Sequence, residues 1–335
     1  MLLIGIAGAA DKRPNIVWIF SDDHTRQTIG AYGGRLQALN PSPNLDRLAA
    51  EGMRFDRCYV GNSICAPARA TLLTGKHSHL NGKYDNQGGF NHDQQQFQKI
   101  LQKNGYQTVM VGKIHLSGQM QGFDYWEALP GQGKYYDPDF VTEEGTKSYK
   151  GYTTDIITDK ALDWLENKRD ESKPFMLMIH HKAPHRNWQP AERHMSKYED
   201  IEIPEPDNLF DDYATRTTAA HKQDMNIENT MRMDTDLKVT EGGGRTNFNL
   251  EHYAARNQFL AENKLEGKEL VKWKYQTYLK DYLRCTWGVD ENIGRVLDAL
   301  EAMDLDDNTI VMYSSDQGFY MGEHGWFDKR FMYEE

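Results

Sequence analysis

Two short apolar segments near opposite ends of the chain constrain its fold more than any other feature. Residues 15–20 (NIVWIF) lead into Asp22 and Asp23, and residues 308–313 (NTIVMY) lead into Asp316. Nearly continuous apolar runs of this length are typical of parallel strands whose two faces are both covered by helices. The sequence therefore predicts an α/β fold in which a mostly parallel central sheet lies between layers of helices.

The polar residues after these two segments predict a cation site. Ligands of open α/β sheets bind outside the carboxyl ends of the strands, so Asp22, Asp23, Asp316 and Gln317 are expected to converge there. Adjacent carboxylates repel each other, and a bound cation relieves that repulsion. Because all four side chains offer oxygen, the set favours Ca²⁺ over Mg²⁺ and argues against Zn²⁺. The alternative is a solvated turn in which an aspartate caps a helix.

Two more apolar segments, residues 106–111 and 174–179, also end in polar residues. The side chains concerned are Lys113 and His115 after the first segment, His185 after the second, and Lys329 in the glycine-punctuated loop 322–330. A single lysine or histidine after a strand is usually a loop residue without a catalytic role. The same arrangement after successive strands favours one shared site at the edge of the sheet.

Residues 65–75 (CAPARATLLTG) place Cys65, Pro67 and Arg69 at spacings that ordinary packing does not require. Taken alone, this pattern could be a chance match around a small buried cysteine. Together with the polar strand ends, it resembles the Cys-x-Pro-x-Arg signature of the type I sulfatase family. The resemblance covers the chain from about Pro14 to its last residue. It implies the mostly parallel sheet of the alkaline-phosphatase and sulfatase fold.

The resemblance also implies a modified residue and a metal ion. In this family the first cysteine of the signature is converted to formylglycine by a maturation enzyme, and the hydrate of that aldehyde attacks sulfur. Carried over by position, Cys65 is the modified residue, and calcium is held by Asp22, Asp23, Cys65, Asp316 and Gln317. Gln317 departs from the asparagine that is commonest at its position, although its amide oxygen can still bind a cation.

Further roles are implied for the basic residues at the strand ends. Arg69 would steady the hydrate, while Lys113 and Lys329 would bind sulfate oxygens. His115 would hydrogen-bond the hydrate and help to expel sulfate, and His185 would protonate the leaving sugar oxygen. Such an assignment suits a sulfate ester, because its cleavage moves negative charge onto the bridging oxygen.

Within this family, the chain resembles the N-acetylglucosamine-6-sulfatase branch in residues 122–130 with 134–136, and in residues 182–188. The implied substrate is a 6-O-sulfated glucosamine residue in a heparan, keratan or mucin-type glycan. Three alternatives stay open: a sulfatase of other glycosaminoglycan specificity, a phosphonate or phosphate ester hydrolase, and a glycan-binding protein without turnover if Cys65 stays a thiol. The aromatic residues of these segments could also simply pack beneath the loops.

The expected organisation is one large catalytic domain over residues 11–335. Residues 1–10 resemble the end of a secretory signal peptide, which implies export to a bacterial periplasm or cell envelope. The alternative is a disordered chain end. Members of the family continue beyond the stretch that ends here at residues 333–335, so the resemblance also implies that this chain lacks their smaller C-terminal subdomain.

The net charge and the lengths of the apolar stretches argue against binding to nucleic acid and against a membrane span. A formal net charge of −11 without a basic stripe argues against nucleic acid binding. No apolar stretch is long enough to span a bilayer.

Residues 270–303 carry apolar side chains at a spacing of three and four, which predicts a core helix that Gly288 could bend or divide. Residues 204–256 are polar and glycine-rich, which indicates a surface excursion, and Cys58 and Cys285 are expected to be buried thiols.

Overall fold

The computed structural model describes residues 13–239 and 253–331. Within them, a sheet of seven strands has the order β5-β4-β3-β2-β6-β1-β7. The strands are β1 Asn15–Ser21, β2 Gln107–Lys113, β3 Tyr125–Leu129, β4 Asp139–Thr142, β5 Gly145–Ser148, β6 Phe175–His180 and β7 Thr309–Ser315. All four apolar segments predicted as strands are strands in the structure, each within about one or two residues of its predicted bounds.

The four predicted strands are neighbours in space. β1 pairs in parallel with β6 on one side and with β7 on the other, and β2 pairs in parallel with β6. β3 continues the parallel part of the sheet, while β4 and β5 form an antiparallel hairpin at its edge. The prediction of a mostly parallel sheet is confirmed. The carboxyl ends of β2, β6, β1 and β7 therefore open onto the same edge.

Helices cover both faces of the sheet. The helices among the described residues are α1 Pro43–Glu51, α2 Cys65–Thr74, α3 Ser78–Asn81, α4 Phe97–Lys103, α5 Thr153–Asn167, α6 Thr218–Lys222, α7 Ala254–Asn263 and α8 Gly267–Ala302. On one face, Val17 and Leu177 share a core with Ile157 of α5 and Leu283 of α8. On the other face, side chains such as Met176 pack with α2 and α4. Successive side chains of each strand therefore pack into two separate cores, one on each face of the sheet, because strand side chains alternate between faces.

The long helix α8 confirms the prediction made for residues 270–303. It runs for 36 residues without interruption at Gly288. A β-carbon at Gly288 would meet Tyr152 and His194 at ordinary contact distances of 3.5 and 3.6 Å, so this glycine lies against neighbours without breaking the helix. The apolar stripe from Leu279 to Leu300 is buried against the sheet.

Two expectations about buried and exposed segments were wrong in part. The described portion of 204–256 is not a plain surface excursion, because Ile227 and Leu237 are fully buried in the main core. Cys285 is buried as expected, whereas Cys58 is exposed. The glycines at 242–244, the apolar residues 1–10 and the stretch 333–335 lie outside the described residues. No helix within 13–239 and 253–331 has both the length and the apolar character needed to cross a membrane.

Candidate active site

The acidic residues that follow β1 and β7 meet at the edge of the sheet. Ser21 and Ser315 are partners in the parallel register, so Asp22 and Asp316 leave the two strands side by side. The backbone N–H of Asp23 donates to Asp316 Oδ1 at 3.0 Å. Nearly 300 residues of sequence separate the two strands, and the register alone brings their carboxylates together.

Asp23 lies in a left-handed backbone conformation with φ of 69°. This conformation is uncommon for residues other than glycine, although aspartate is among those that tolerate it. The hydroxyl of Tyr282 in α8 stabilises it, accepting from the Thr25 N–H at 2.9 Å and donating to the Asp23 carbonyl. The turn therefore points the Asp23 carboxylate into the cluster, while its backbone is held from α8.

Cys65 is the first residue of α2 and its sulfur lies inside the acidic cluster. The thiol donates to Asp22 Oδ1 at 3.2 Å and accepts from Lys329 Nζ at 3.1 Å. One ligand atom from each of Asp22, Asp23, Cys65 and Asp316 lies within 4.8 Å of the others. Burial raises the pKa of the Cys65 thiol to about 12, and the nearby Asp316 charge adds to that effect. As a thiol, Cys65 is therefore protonated at neutral pH and a poor nucleophile.

Arg69 lies one turn after Cys65 on the same face of α2, as their spacing of four residues requires. Its Nε donates to Asp316 Oδ2 at 3.1 Å, and its Nη1 donates to the carbonyl of Lys113. The guanidinium also lies over the ring of Phe20, 5.0 Å from its centroid. Arg69 is fully buried, so one side chain ties α2 to the ends of β1, β2 and β7.

Two buried lysines supply positive charge at the cluster. Lys113 contacts Asp22 Oδ2 and the side-chain oxygen of Gln132, and Lys329 contacts Asp23 Oδ1. Burial lowers the pKa of Lys113 well below its usual value, and the charge of Lys182 adds to this effect. Burial also acts to lower the pKa of Lys329, but the charges of Asp23 and its neighbours outweigh burial and raise it. Lys329 is therefore firmly cationic.

The two predicted histidines lie at the same edge. His185 Nε2 is 3.9 Å from Asp23 Oδ2, while its Nδ1 contacts the carbonyl of Arg186. Because a carbonyl only accepts, Nδ1 carries the proton and the lone pair of Nε2 faces the cluster. Burial and the charge of Lys113 hold the pKa of His185 well below its usual range and lower that of His115 to about 3. Both rings are neutral near pH 7.

The oxygen atoms of the cluster fit a hard divalent cation. Asp23 Oδ2 and Gln317 Oε1 are both buried and have no hydrogen-bond partner. Unpaired buried oxygens are costly, and a cation would bind both. Burial raises the pKa of Asp23 to about 6, against the opposing charge of Lys329, so this carboxylate also gains from a nearby cation. The donor set, three carboxylates and an amide oxygen, is of the kind that calcium binds, and calcium itself stays a prediction.

The structure adds residues that sequence patterns missed. His180 Nδ1 donates to the carbonyl of Lys113 at 3.1 Å and lies 3.5 Å from Arg69 Nη1. These two contacts connect the end of β2 to α2. Gln132 and Tyr282 contact Lys113 and Asp23 from remote segments. His180 could have been selected as the polar end of an apolar strand. Tyr282 had no distinguishing signal, because it belongs to the apolar stripe of α8.

Comparison with known proteins decides the family. The family model described as Sulfatase matches residues 14–331. The chain belongs to the sulfatase family. It is 52% identical to an N-acetylglucosamine-6-O-sulfatase of Bacteroides thetaiotaomicron over 97% of its own length, and 26% identical to the human N-acetylglucosamine-6-sulfatase over 99%. It spans 61% of the first relative's length and 56% of the second's.

Solved structures of sulfatases and related hydrolases have the same fold. One of them, described as a complex with its substrate D-glucosamine-2-N,6-O-disulfate, is 51% identical and superposes with a TM-score of 0.91, covering 96% of this chain and 69% of that one. A phosphonate monoester hydrolase of Agrobacterium radiobacter, at 18% identity and a TM-score of 0.68, covering 96% of this chain and 66% of its own, shares the fold alone. The predicted family and fold class are confirmed.

Proposed function

We propose that the protein is a sulfuric ester hydrolase that removes the 6-O-sulfate of N-acetylglucosamine in a sulfated glycan. The relative at 52% identity carries this activity in its name, and the neighbour at a TM-score of 0.91 binds a 6-O-sulfated glucosamine. The observation that carries the proposal is the position of Cys65, with its sulfur 3.2 Å from Asp22 and 3.1 Å from Lys329. A nucleophile formed at this position would lie between anion-binding lysines and a cation site.

The proposed site needs two groups beyond the encoded side chains. Calcium, in preference to magnesium, would be held by Asp22, Asp23, Asp316 and Gln317 together with residue 65. It would offset charge on the sulfate, while a formylglycine at position 65 would offer a hydrate hydroxyl as the nucleophile. The raised pKa of the Cys65 thiol supports the need for modification, because the unmodified thiol is inert at neutral pH. A formylglycine-generating maturation enzyme is therefore a proposed partner.

The basic residues have separate proposed roles around the ester. Lys113 and Lys329 bind sulfate oxygens, and Arg69 holds Asp316 and steadies the group at position 65. His185, whose Nε2 faces the cluster, is the proposed acid for the leaving oxygen. His115, which is close enough to Lys113 for that charge to lower its pKa, would hydrogen-bond the hydrate and help to expel sulfate. Binding of the anionic substrate raises the pKa of both histidines, because a nearby negative charge favours their protonated forms. His185 is then able to deliver a proton to the leaving sugar oxygen.

A substrate panel tests this function. The mature protein is incubated with N-acetylglucosamine-6-sulfate, with glucosamine sulfated at other positions, and with a phosphonate monoester. Hydrolysis of the first compound alone is expected, followed as released sulfate for the two sugars and as released alcohol for the phosphonate, and equal rates of hydrolysis on all three would contradict the assignment. Intact mass provides the matching control, because conversion of cysteine to formylglycine makes the chain about 18 Da lighter. An unshifted mass in protein made by its native host would favour a glycan-binding role.

The bacterial relative and the apolar character of residues 1–10 support a location in the periplasm or cell envelope. Cell fractionation with a cytoplasmic marker enzyme as control tests this. Recovery of the protein with the marker would contradict it.

A further inference from the structure

Lys182 is the exception among the buried lysines of the described residues. Six lysines there are buried, namely Lys83, Lys113, Lys182, Lys238, Lys274 and Lys329. The other five each contact a carboxylate or a backbone carbonyl, for example Lys238 with Asp281 at 2.9 Å and Lys274 with the carbonyl of Glu228 at 2.6 Å. Lys182 is 6% exposed and forms neither an ion pair nor a side-chain hydrogen bond with any described residue. A buried ammonium without an acceptor is costly.

The aromatic ring beside Lys182 links this ammonium to the turn that carries His185. Its Nζ lies 4.8 Å from the centroid of the Tyr135 ring, and the Tyr135 hydroxyl donates to the carbonyl of His185 at 2.6 Å. The carbonyl of Lys182 accepts from the His185 N–H at 3.1 Å. Lys182 and His185 therefore belong to one tight turn after β6, and Tyr135 contacts both residues. A ring face attracts the cation but supplies no hydrogen-bond acceptor.

Electrostatic effects agree with this placement. The charge on Lys182 is the largest charge effect that lowers the pKa of Lys113, and it also lowers the pKa of His185. Burial lowers the pKa of Lys182 itself to about 8, with Asp23 and Cys65 acting in the opposite direction. Lys182 thus shares one electrostatic environment with the groups around the reacting atoms. Asp23 offsets this charge only from a distance, since no described carboxylate lies within ion-pair distance of Lys182, so an anion from outside the chain is the missing partner.

We propose that Lys182 is a third lysine of the sulfate site and binds a non-bridging oxygen of the sulfate being transferred. The inference rests on the proposed sulfatase function and adds a residue that the signature pattern does not contain. The ligand class is a tetrahedral oxyanion, and inorganic sulfate is the simplest member. In the absence of the anion, the buried charge of Lys182 lowers the free energy of unfolding, and the turn after β6 holds the residue in this position.

The experiment uses the mature calcium-loaded protein and four forms: wild type, Lys182→Met, Lys182→Arg and the control Lys274→Met. Lys274 is equally buried at 6% exposure but bonds backbone carbonyls away from the site. Thermal unfolding is followed with and without sodium sulfate at constant free calcium. Inhibition of 6-sulfate release by inorganic sulfate gives Ki for each form.

The proposal predicts opposite stability effects for the two methionine variants. Without sulfate, Lys182→Met keeps or raises Tm because it removes a buried unpaired charge, whereas Lys274→Met lowers Tm. Sulfate raises the Tm of wild type and of Lys274→Met, and raises that of Lys182→Met less. Ki for sulfate increases at least about tenfold in Lys182→Met and partly recovers in Lys182→Arg.

A wild-type Ki and a wild-type sulfate-dependent Tm shift in Lys182→Met would overturn the proposal. So would a loss of Tm equal to that of Lys274→Met, which would make Lys182 a structural residue. If Lys182→Met does not fold, Lys182→Gln is measured in its place by the same two criteria. Failure of the proposed function is distinguishable, because the sulfate-dependent Tm shift does not require turnover. Wild type that binds sulfate through Lys182 but leaves N-acetylglucosamine-6-sulfate intact would contradict only the substrate assignment.

Discussion

Arg69 donates through Nε to Asp316 Oδ2 at 3.1 Å, and this bond joins the signature helix to the last strand of the sheet. Both side chains are almost completely buried. Burial raises the pKa of Asp316, but the charges of Arg69, Lys329 and Lys113 outweigh it and lower the pKa overall. The signature arginine thus keeps a proposed metal ligand ionised, in addition to lying one turn from Cys65.

Replacing this arginine should unfold the site as well as inactivate it. Arg69→Ala leaves the Asp316 carboxylate buried without its main partner, and breaking such a pair costs about 3–5 kcal/mol. Urea unfolding measures the loss. The matched control is Arg47→Ala, whose partners Asp298 and Glu301 are 68% and 56% exposed, and each such surface pair is worth less than about 1 kcal/mol. Equal losses in the two variants would refute the structural role of the Arg69 pair.

Removing a proposed metal ligand should weaken calcium binding directly. Asp23→Asn removes a carboxylate whose Oδ2 has no hydrogen-bond partner in the protein, and a decrease in calcium affinity of at least about 100-fold is expected. Calorimetric titration of chelator-treated protein provides the measurement. Asp298→Asn, on the exposed face of α8, is the control. Calcium affinity unchanged in Asp23→Asn would argue against the cation site.

The proposed proton donor should matter most for poor leaving groups. His185→Gln is expected to lower kcat on N-acetylglucosamine-6-sulfate by about 10²–10⁴-fold, because a sugar alkoxide leaves poorly without a proton. An aryl sulfate, whose phenolate leaves readily, should show a much smaller decrease. His92→Gln, a buried histidine whose Nε2 bonds the carbonyl of Ser117, is the control. Equal decreases on both substrates would exclude His185 as the general acid.

Asp290 should make folding stability fall as pH rises. Its carboxylate accepts the backbone N–H groups of Asn44 and Leu45 at the start of α1, yet burial raises its pKa to about 6. Because this value exceeds the unfolded one, the folded state binds more protons between about pH 4 and 6, and stability decreases across that window. A shift of about two units corresponds to about 3 kcal/mol at neutral pH.

The variant Asp290→Asn isolates this effect, since it cannot titrate. Urea unfolding of both proteins at several pH values between 4 and 7.5 provides the measurement. The stability of wild type relative to the variant is expected to decrease up to about pH 6 and then stay constant. A difference that is flat across the range, or that increases with pH, would contradict the raised pKa of Asp290.

Local pattern was sufficient to predict the strands and the residues at their ends. The segments leading to Asp22, Lys113, His185 and Asp316 are short apolar runs, and their carboxyl ends must meet once the strands are parallel neighbours. The signature around Cys65 was readable because its spacing is fixed within one helix. These features depend on contacts close in sequence or on a general property of parallel sheets, so no three-dimensional information was needed.

Residues that act across long sequence separations could not be predicted in this way. Tyr282 looks like any other member of an apolar helical stripe, and only the packing of α8 beneath the sheet brings its hydroxyl to Asp23. Gln132 and Ile227 lie in polar segments, and nothing in those segments predicts the contact of Gln132 with Lys113 or the burial of Ile227 in the core. The absence of an acceptor at Lys182 is likewise visible only in the folded chain. The burial of a side chain and its hydrogen-bond partners are properties of the whole packed structure, because desolvation and hydrogen bonding depend on which side chains, remote in sequence, the fold brings together.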